Sequence, residues 1–81
     1  MNYIKEIISK DNPTIEELIN CFNCIKQEGN VVVIKFDGER VDIGYTIFIT
    51  FPKNLKQEMI RVDERELKSA LYEALTKYTL L

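Results

Sequence analysis

From Val41 to Phe51 the chain alternates without a break: Val41, Ile43, Tyr45, Ile47, Ile49 and Phe51 fall on one side, and Asp42, Gly44, Thr46, Phe48 and Thr50 on the other. A period of two marks a strand buried on one face, because successive side chains of extended backbone point to opposite sides. Such a strand cannot stand alone. Its backbone needs neighbouring strands and its apolar face needs a second layer, and a chain of 81 residues must supply both.

The neighbouring strands flank it. Val31 to Asp37 is short and β-branched, with Val32, Ile34 and Phe36 on one face and Val31, Val33 and Lys35 on the other. Between the two strands stands Asp37-Gly38-Glu39-Arg40, which reads as a tight hairpin with Gly38 at positive φ. With Gly38 and Glu39 as its loop, Asp37 pairs with Arg40, Phe36 with Val41 and Ile34 with Ile43, so both apolar faces meet on one side. Pro52, Lys53 and Asn54 end the second strand, and Glu58 to Val62 reads as a third with Ile60 and Val62 inward. The predicted strands are therefore 31–37, 41–51 and 58–62.

The second layer comes from two amphipathic segments. Thr14 followed by Glu17 is a capping box, and Ile15, Leu18, Ile19, Phe22 and Ile25 form one stripe, which predicts a helix over 14–28 stopped by Gly29 and Asn30. Asp63 with Glu66 reads as a second capping box, stapled by Val62 on Leu67. It opens a helix over 63–78 with Leu67, Ala70, Leu71, Ala74, Leu75 and Tyr78 on one face. Tyr3, Ile4, Ile7 and Ile8 make a shorter helical arm over 1–10, marginal unless it docks. The expected fold is α+β: a single-domain, two-layer α-β-β-β-α sandwich with a three-stranded antiparallel sheet and both long helices on one face. A composition 46% hydrophobic, with only 3 Gly and 2 Pro, suits one packed core.

Several function classes lose their chemical basis in this composition. A formal charge of −2 removes the phosphate-neutralising drive of a nucleic-acid binder. The α-β-β-β-α order matches the double-stranded-RNA-binding domain, but that family grips phosphate with lysines at the start of its last helix, where this chain has Asp63, Glu64, Arg65 and Glu66. No segment approaches the ~20 apolar residues of a membrane span, and the first ten residues lack the apolar run of a secretory signal, so the expected location is cytosolic with no membrane partner.

Cys21 and Cys24 have redox spacing but fall in the middle of a helix, with no further cysteine and no His to complete a zinc site. They read as packed thiols, Cys21 the more buried. Without His, acid–base catalysis would fall to carboxylates or Lys of shifted pKa. Asp37, Glu39 and Asp42 lie together near the turn, yet Lys35 and Arg40 stand among them, which points to ion pairs rather than a metal site. The reading is a non-enzymatic protein with no cofactor and no metal.

The most informative surface is the sheet face turned away from the helices, where alternation places Val31, Val33, Thr46, Phe48, Thr50 and Met59. Either the N-terminal arm folds over these residues or they form an apolar patch for a protein partner or a second copy. The strand, Asp37-Gly38-Glu39 turn, strand and Leu67-Ala70-Leu71-Ala74-Leu75 helix resemble small phage-encoded sandwich proteins and, more distantly, bacterial immunity proteins. That resemblance implies a phage or mobile-element accessory protein that binds or inhibits a host protein, and it assigns no functional residue. The alternative is a homodimer sequestering a small nucleotide-like anion between Lys35 and Arg61.

Overall fold

The computed structural model describes residues 2–81, in the order α1 (Asn2–Ile8), α2 (Ile15–Gln27), β1 (Val31–Phe36), β2 (Tyr45–Thr50), β3 (Ile60–Glu64) and α3 (Leu67–Thr79). The strands form one antiparallel sheet in the order β1-β2-β3. Helix α3 lies over β2 and β3, α2 lies over β1, and the opposite face of the sheet is left open, so the α-β-β-β-α arrangement stands.

Each end of α2 is fixed by its sequence. The Thr14 hydroxyl accepts the Glu17 amide at 3.1 Å and the Glu17 carboxylate accepts the Thr14 amide at 2.9 Å, which completes the capping box. At the other end the Asn30 amide donates to the Ile25 carbonyl and the Gly29 amide to the Lys26 carbonyl, a Schellman stop around Gly29 at φ 88°. It is this positive φ that favours glycine, since a Cβ there would meet only the movable end of the Lys53 side chain. Thr14→Ala, which removes one half of the box, is expected to cost about 1 kcal/mol and lower the melting temperature by roughly 4–8 °C in a calorimetric scan.

The core joins Ile47, Ile49, Ile60 and Val62 from the sheet to Leu18, Cys21, Phe22 and Ile25 of α2 and Ala70, Leu71, Ala74, Leu75 and Tyr78 of α3. Ala70 and Ala74 are small enough to let α3 settle close to β3. The Tyr78 hydroxyl, at the edge of this core, accepts the Asn30 amide group at 3.0 Å. Ile15 and Ile19, expected on the buried stripe, remain 44% and 38% exposed. Helix α2 has only edge strand β1 beneath it, and the outer part of its stripe has nothing to pack on.

Three local expectations are corrected. The tight hairpin at Gly38 does not form: Ile34 stands opposite Ile47 instead of Ile43, and β2 begins at Tyr45, leaving residues 37–44 as a loop with Val41 fully in solvent. A two-residue hairpin turn needs positive φ, and among the described residues only Gly29 has it. The Asp37 side chain instead accepts the Glu39 amide at 3.0 Å, and the Asp37 amide donates to the Gly44 carbonyl at 2.8 Å to close the wider loop. Phe36, assigned to the apolar face, is on that side but 66% exposed, set edge-on to Tyr45.

The second capping box is also absent. Asp63 belongs to β3, α3 starts at Leu67, and its N-cap is Glu66 with no side-chain bond. The third strand is therefore displaced from 58–62 to Ile60–Glu64, since Tyr45 and Thr46 of β2 need Glu64 and Asp63 as partners.

Candidate functional site on the outer face of the sheet

Helix α1 decides whether the outer face is covered. It packs on α2 and α3, with Ile4 and Ile7 buried against the helix layer and the Tyr72 hydroxyl donating to the Ile8 carbonyl at 2.8 Å. No described element lies over the outer side of the sheet.

Pairing across the strands builds the surface in rows. Val33 stands opposite Phe48 and Phe48 opposite Arg61; Lys35 stands opposite Thr46 and Thr46 opposite Asp63; Val31 stands opposite Thr50. Val31, Val33 and Met59 are each about half exposed, at 47%, 48% and 50%, and Phe48 and Thr50 are partly covered. The Arg61 guanidinium lies 5.3 Å from the Phe48 ring centroid, so the aromatic face is capped by a cation at one side of the patch.

Thr46 departs from the expected picture. It is 1% exposed, hidden beneath a polar cluster that the sequence reading did not foresee. Its hydroxyl donates to Asp63 Oδ1 at 2.6 Å, the Arg40 Nη1 reaches the same oxygen at 2.9 Å, and Arg61 Nε reaches Oδ2 at 3.1 Å. Arg40 also donates to the Thr46 hydroxyl at 3.0 Å, so a side chain from the 37–44 loop folds back and pins that loop over one end of the open face. These three donors hold the Asp63 carboxyl well below the usual carboxylate range, with the Thr46 hydroxyl the largest influence.

The two cations of the expected anion site are engaged separately. Lys35 pairs with Asp37 at 3.3 Å, while Arg61 pairs with Asp63 at 3.1 Å. Asp37 is thereby used by Lys35 and the Glu39 amide, and among the described residues no three potential ligands gather to hold a metal ion.

In the helix layer, the Cys21 thiol is completely buried and donates to the Glu17 carbonyl at 3.4 Å; burial pushes its pKa up to about 11, which leaves it a neutral thiol. Cys24 is half-buried and free. A second concave region, a broad open hollow, lies between residues 10–13 and the outer side of α3. Within it the neighbouring Glu73 carboxyl raises the Glu64 pKa. Among the described residues no helix is long and apolar enough to cross a membrane. No family model matches the chain, and no curated protein or solved structure shows significant similarity to it.

Proposed function

We propose that this domain is a non-enzymatic binding protein whose working surface is the outer sheet face around Phe48. One observation carries the reading: half-exposed Val31, Val33 and Met59 flank the partly covered Phe48 on a sheet face over which no described helix lies, although the chain has a helical arm that could have covered it. Apolar surface of this kind costs free energy in water and is recovered when a partner covers it. The polar rim of Lys35, Arg61 and the Arg40–Asp63 cluster suits the periphery of a protein–protein contact, where hydrogen bonds fix orientation around an apolar centre.

The fitting occupant is a protein surface with an apolar centre and a polar margin to meet the ion-paired rim. An accessory protein of a phage or mobile element that blocks a host protein would work by such coverage. The reactive groups that could support an enzyme instead are engaged in structure: the Cys21 thiol is buried, and Asp37 and Asp63 are held as stable carboxylates by ion pairs and hydrogen bonds.

The test uses Val33→Glu and Phe48→Glu, both on the outer face and outside the packed core. Each variant is expected to keep its circular-dichroism spectrum and to lose the proteins that the wild-type chain retains from extracts of its native cell. Retention of the same proteins by wild type and both variants would contradict the assignment of this surface.

A further inference from the structure

The helix layer is wider than the sheet beneath it. Helices α2 and α3 lie side by side, α3 over β2 and β3 and α2 over β1, and among the described elements α2 meets no other strand. Two adjacent helices cover a layer about 20 Å across, whereas three strands at ~4.8 Å span about 14 Å and a fourth would bring the sheet to about 19 Å. The shortfall falls at the β1 edge, where Ile15 and Ile19 of α2 and Phe36 of β1 stand exposed.

The same edge holds unused backbone groups. β1 contains no proline and follows β2 in unbroken register. The Asp37 amide donates to the Gly44 carbonyl, and bonding in an antiparallel pair alternates along the strand, so Val31, Val33 and Lys35 bond to β2. Val32, Ile34 and Phe36 therefore turn their N–H and C=O groups outward. On the helix side, Val32 and Ile34 line a mainly apolar groove with Ile19, Phe22, Asn23 and Lys26 of α2.

We propose that this groove takes an extended peptide segment of another protein, which joins the sheet as a fourth strand beside β1. A second copy of the chain does not fit: pairing β1 with β1 sets two α2 helices over strands ~4.8 Å apart, closer than the roughly 8–10 Å at which helices pack. The occupant is a lone strand that brings no helix of its own.

Its chemistry follows from what it faces. Residues of the added strand opposite Val32, Ile34 and Phe36 bond to the edge and carry their side chains on the helix side, toward Ile15, Ile19 and Phe22, so they are apolar. The Gly29 turn folds β1 back along α2, which brings Lys26 to the Val31 end of the groove and Glu16 to the Phe36 end. Glu16, Ile19, Asn23 and Lys26 form one stripe on α2, and neither Glu16 nor Lys26 takes part in an ion pair among the described residues. An antiparallel segment that opens on a basic residue and closes on an acidic one meets both charges. This site is separate from the outer face around Phe48 and does not rest on the function proposed for that face.

The end-blocked peptide Lys-Thr-Val-Thr-Val-Thr-Val-Thr-Asp, titrated into the full chain with amide hydrogen exchange read residue by residue, tests the proposal. Binding is expected, with protection gained at the Val32, Ile34 and Phe36 amides. Methylating the valine nitrogens, which face β1, is expected to abolish binding, whereas methylating the threonine nitrogens, which face away, leaves it intact. Phe36→Pro removes an outward N–H and no bond to β2, and is expected to weaken binding about tenfold, while Phe48→Glu leaves it unchanged. No protection at those three amides with millimolar peptide, or equal loss from valine and threonine methylation, would overturn the proposal. Binding lost in Phe48→Glu and kept in Phe36→Pro would place the peptide on the outer face and overturn it too. The methylated peptides act on the wild-type chain, so the outcome does not depend on whether Phe36→Pro folds.

Discussion

Leu71→Ala is expected to remove about 3 kcal/mol of stability, the largest loss of any single substitution considered for this domain. Leu71 is completely buried in the middle of α3, within the cluster that joins that helix to the sheet and to α2. Truncation loses the transfer free energy of the side chain and leaves a cavity that a close-packed interior does not refill. A domain of this size has a total stability of about 4–12 kcal/mol, so the change consumes a large share of it and should lower the melting temperature by roughly 12–24 °C. Urea unfolding checks the figure. The adjacent Tyr72 offers an internal comparison, since it is 40% exposed and holds only the end of α1 through its hydroxyl, and Tyr72→Phe is expected to cost about 1 kcal/mol.

Acid is expected to destabilise the fold chiefly through Asp63. Its carboxyl is held below the usual range by the Thr46 hydroxyl, Arg61 and Arg40, so the folded state stabilises the ionised form relative to the unfolded chain. A depressed carboxyl contributes stability that is fully present above its unfolded pKa, at about 4, and is lost as pH falls toward the folded value. Asp37 and Glu17 are shifted the same way, the first mainly by the Glu39 amide and the second by Lys10. Glu64 has the opposite sign: Glu73 raises its pKa, and its contribution is present at low pH and lost as pH rises through the folded value.

The stability of the wild type should therefore fall below about pH 4, after a small gain from Glu64 as pH drops from neutral. Asp63→Asn should be less stable at neutral pH and show a shallower acid limb, because the proton-linked part of the cluster is gone. The comparison is made by thermal unfolding of both proteins across that range. An acid limb of the same slope in both would assign the loss to other carboxylates.

The faces of the sheet were legible in the sequence even where its register was not. Ile34 was expected opposite Ile43 and stands opposite Ile47, a displacement of four residues. Because side chains alternate with a period of two, an even displacement leaves every residue on the face assigned to it, and so Val33, Phe48 and Thr50 lie on the outer side as expected. The turn itself was misread because Asp-Gly favours a tight hairpin locally, whereas the wider loop gains the bond from Arg40 to Asp63, which links residues far apart in sequence.

The same long-range pairing accounts for the misplaced start of α3. Asp63 with Glu66 is a sound capping signal in isolation, but the carboxylate gains more from two guanidinium groups and a hydroxyl in β3 than from one helix amide. Arg61 lies two residues from Asp63, but Arg40 and Thr46 join the cluster only once Thr46 is paired with Asp63 across the strands. The burial of Cys21, by contrast, was readable from its place beside Leu18 and Ile25.

The position of α1 is where sequence pattern left two outcomes and where the account of function is most exposed. Its apolar stripe could have closed the outer face or docked on the helices, and it docks on the helices. A methyl-resolved nuclear Overhauser experiment tests this most directly. Cross-peaks are expected from Ile4 and Ile7 to methyl groups of α2 and α3, and none to Val31, Val33 or the Phe48 ring. Cross-peaks from Ile4 or Ile7 to Val33 or Phe48 would show the patch to be covered by the chain itself and would contradict the claim that it is free for a partner.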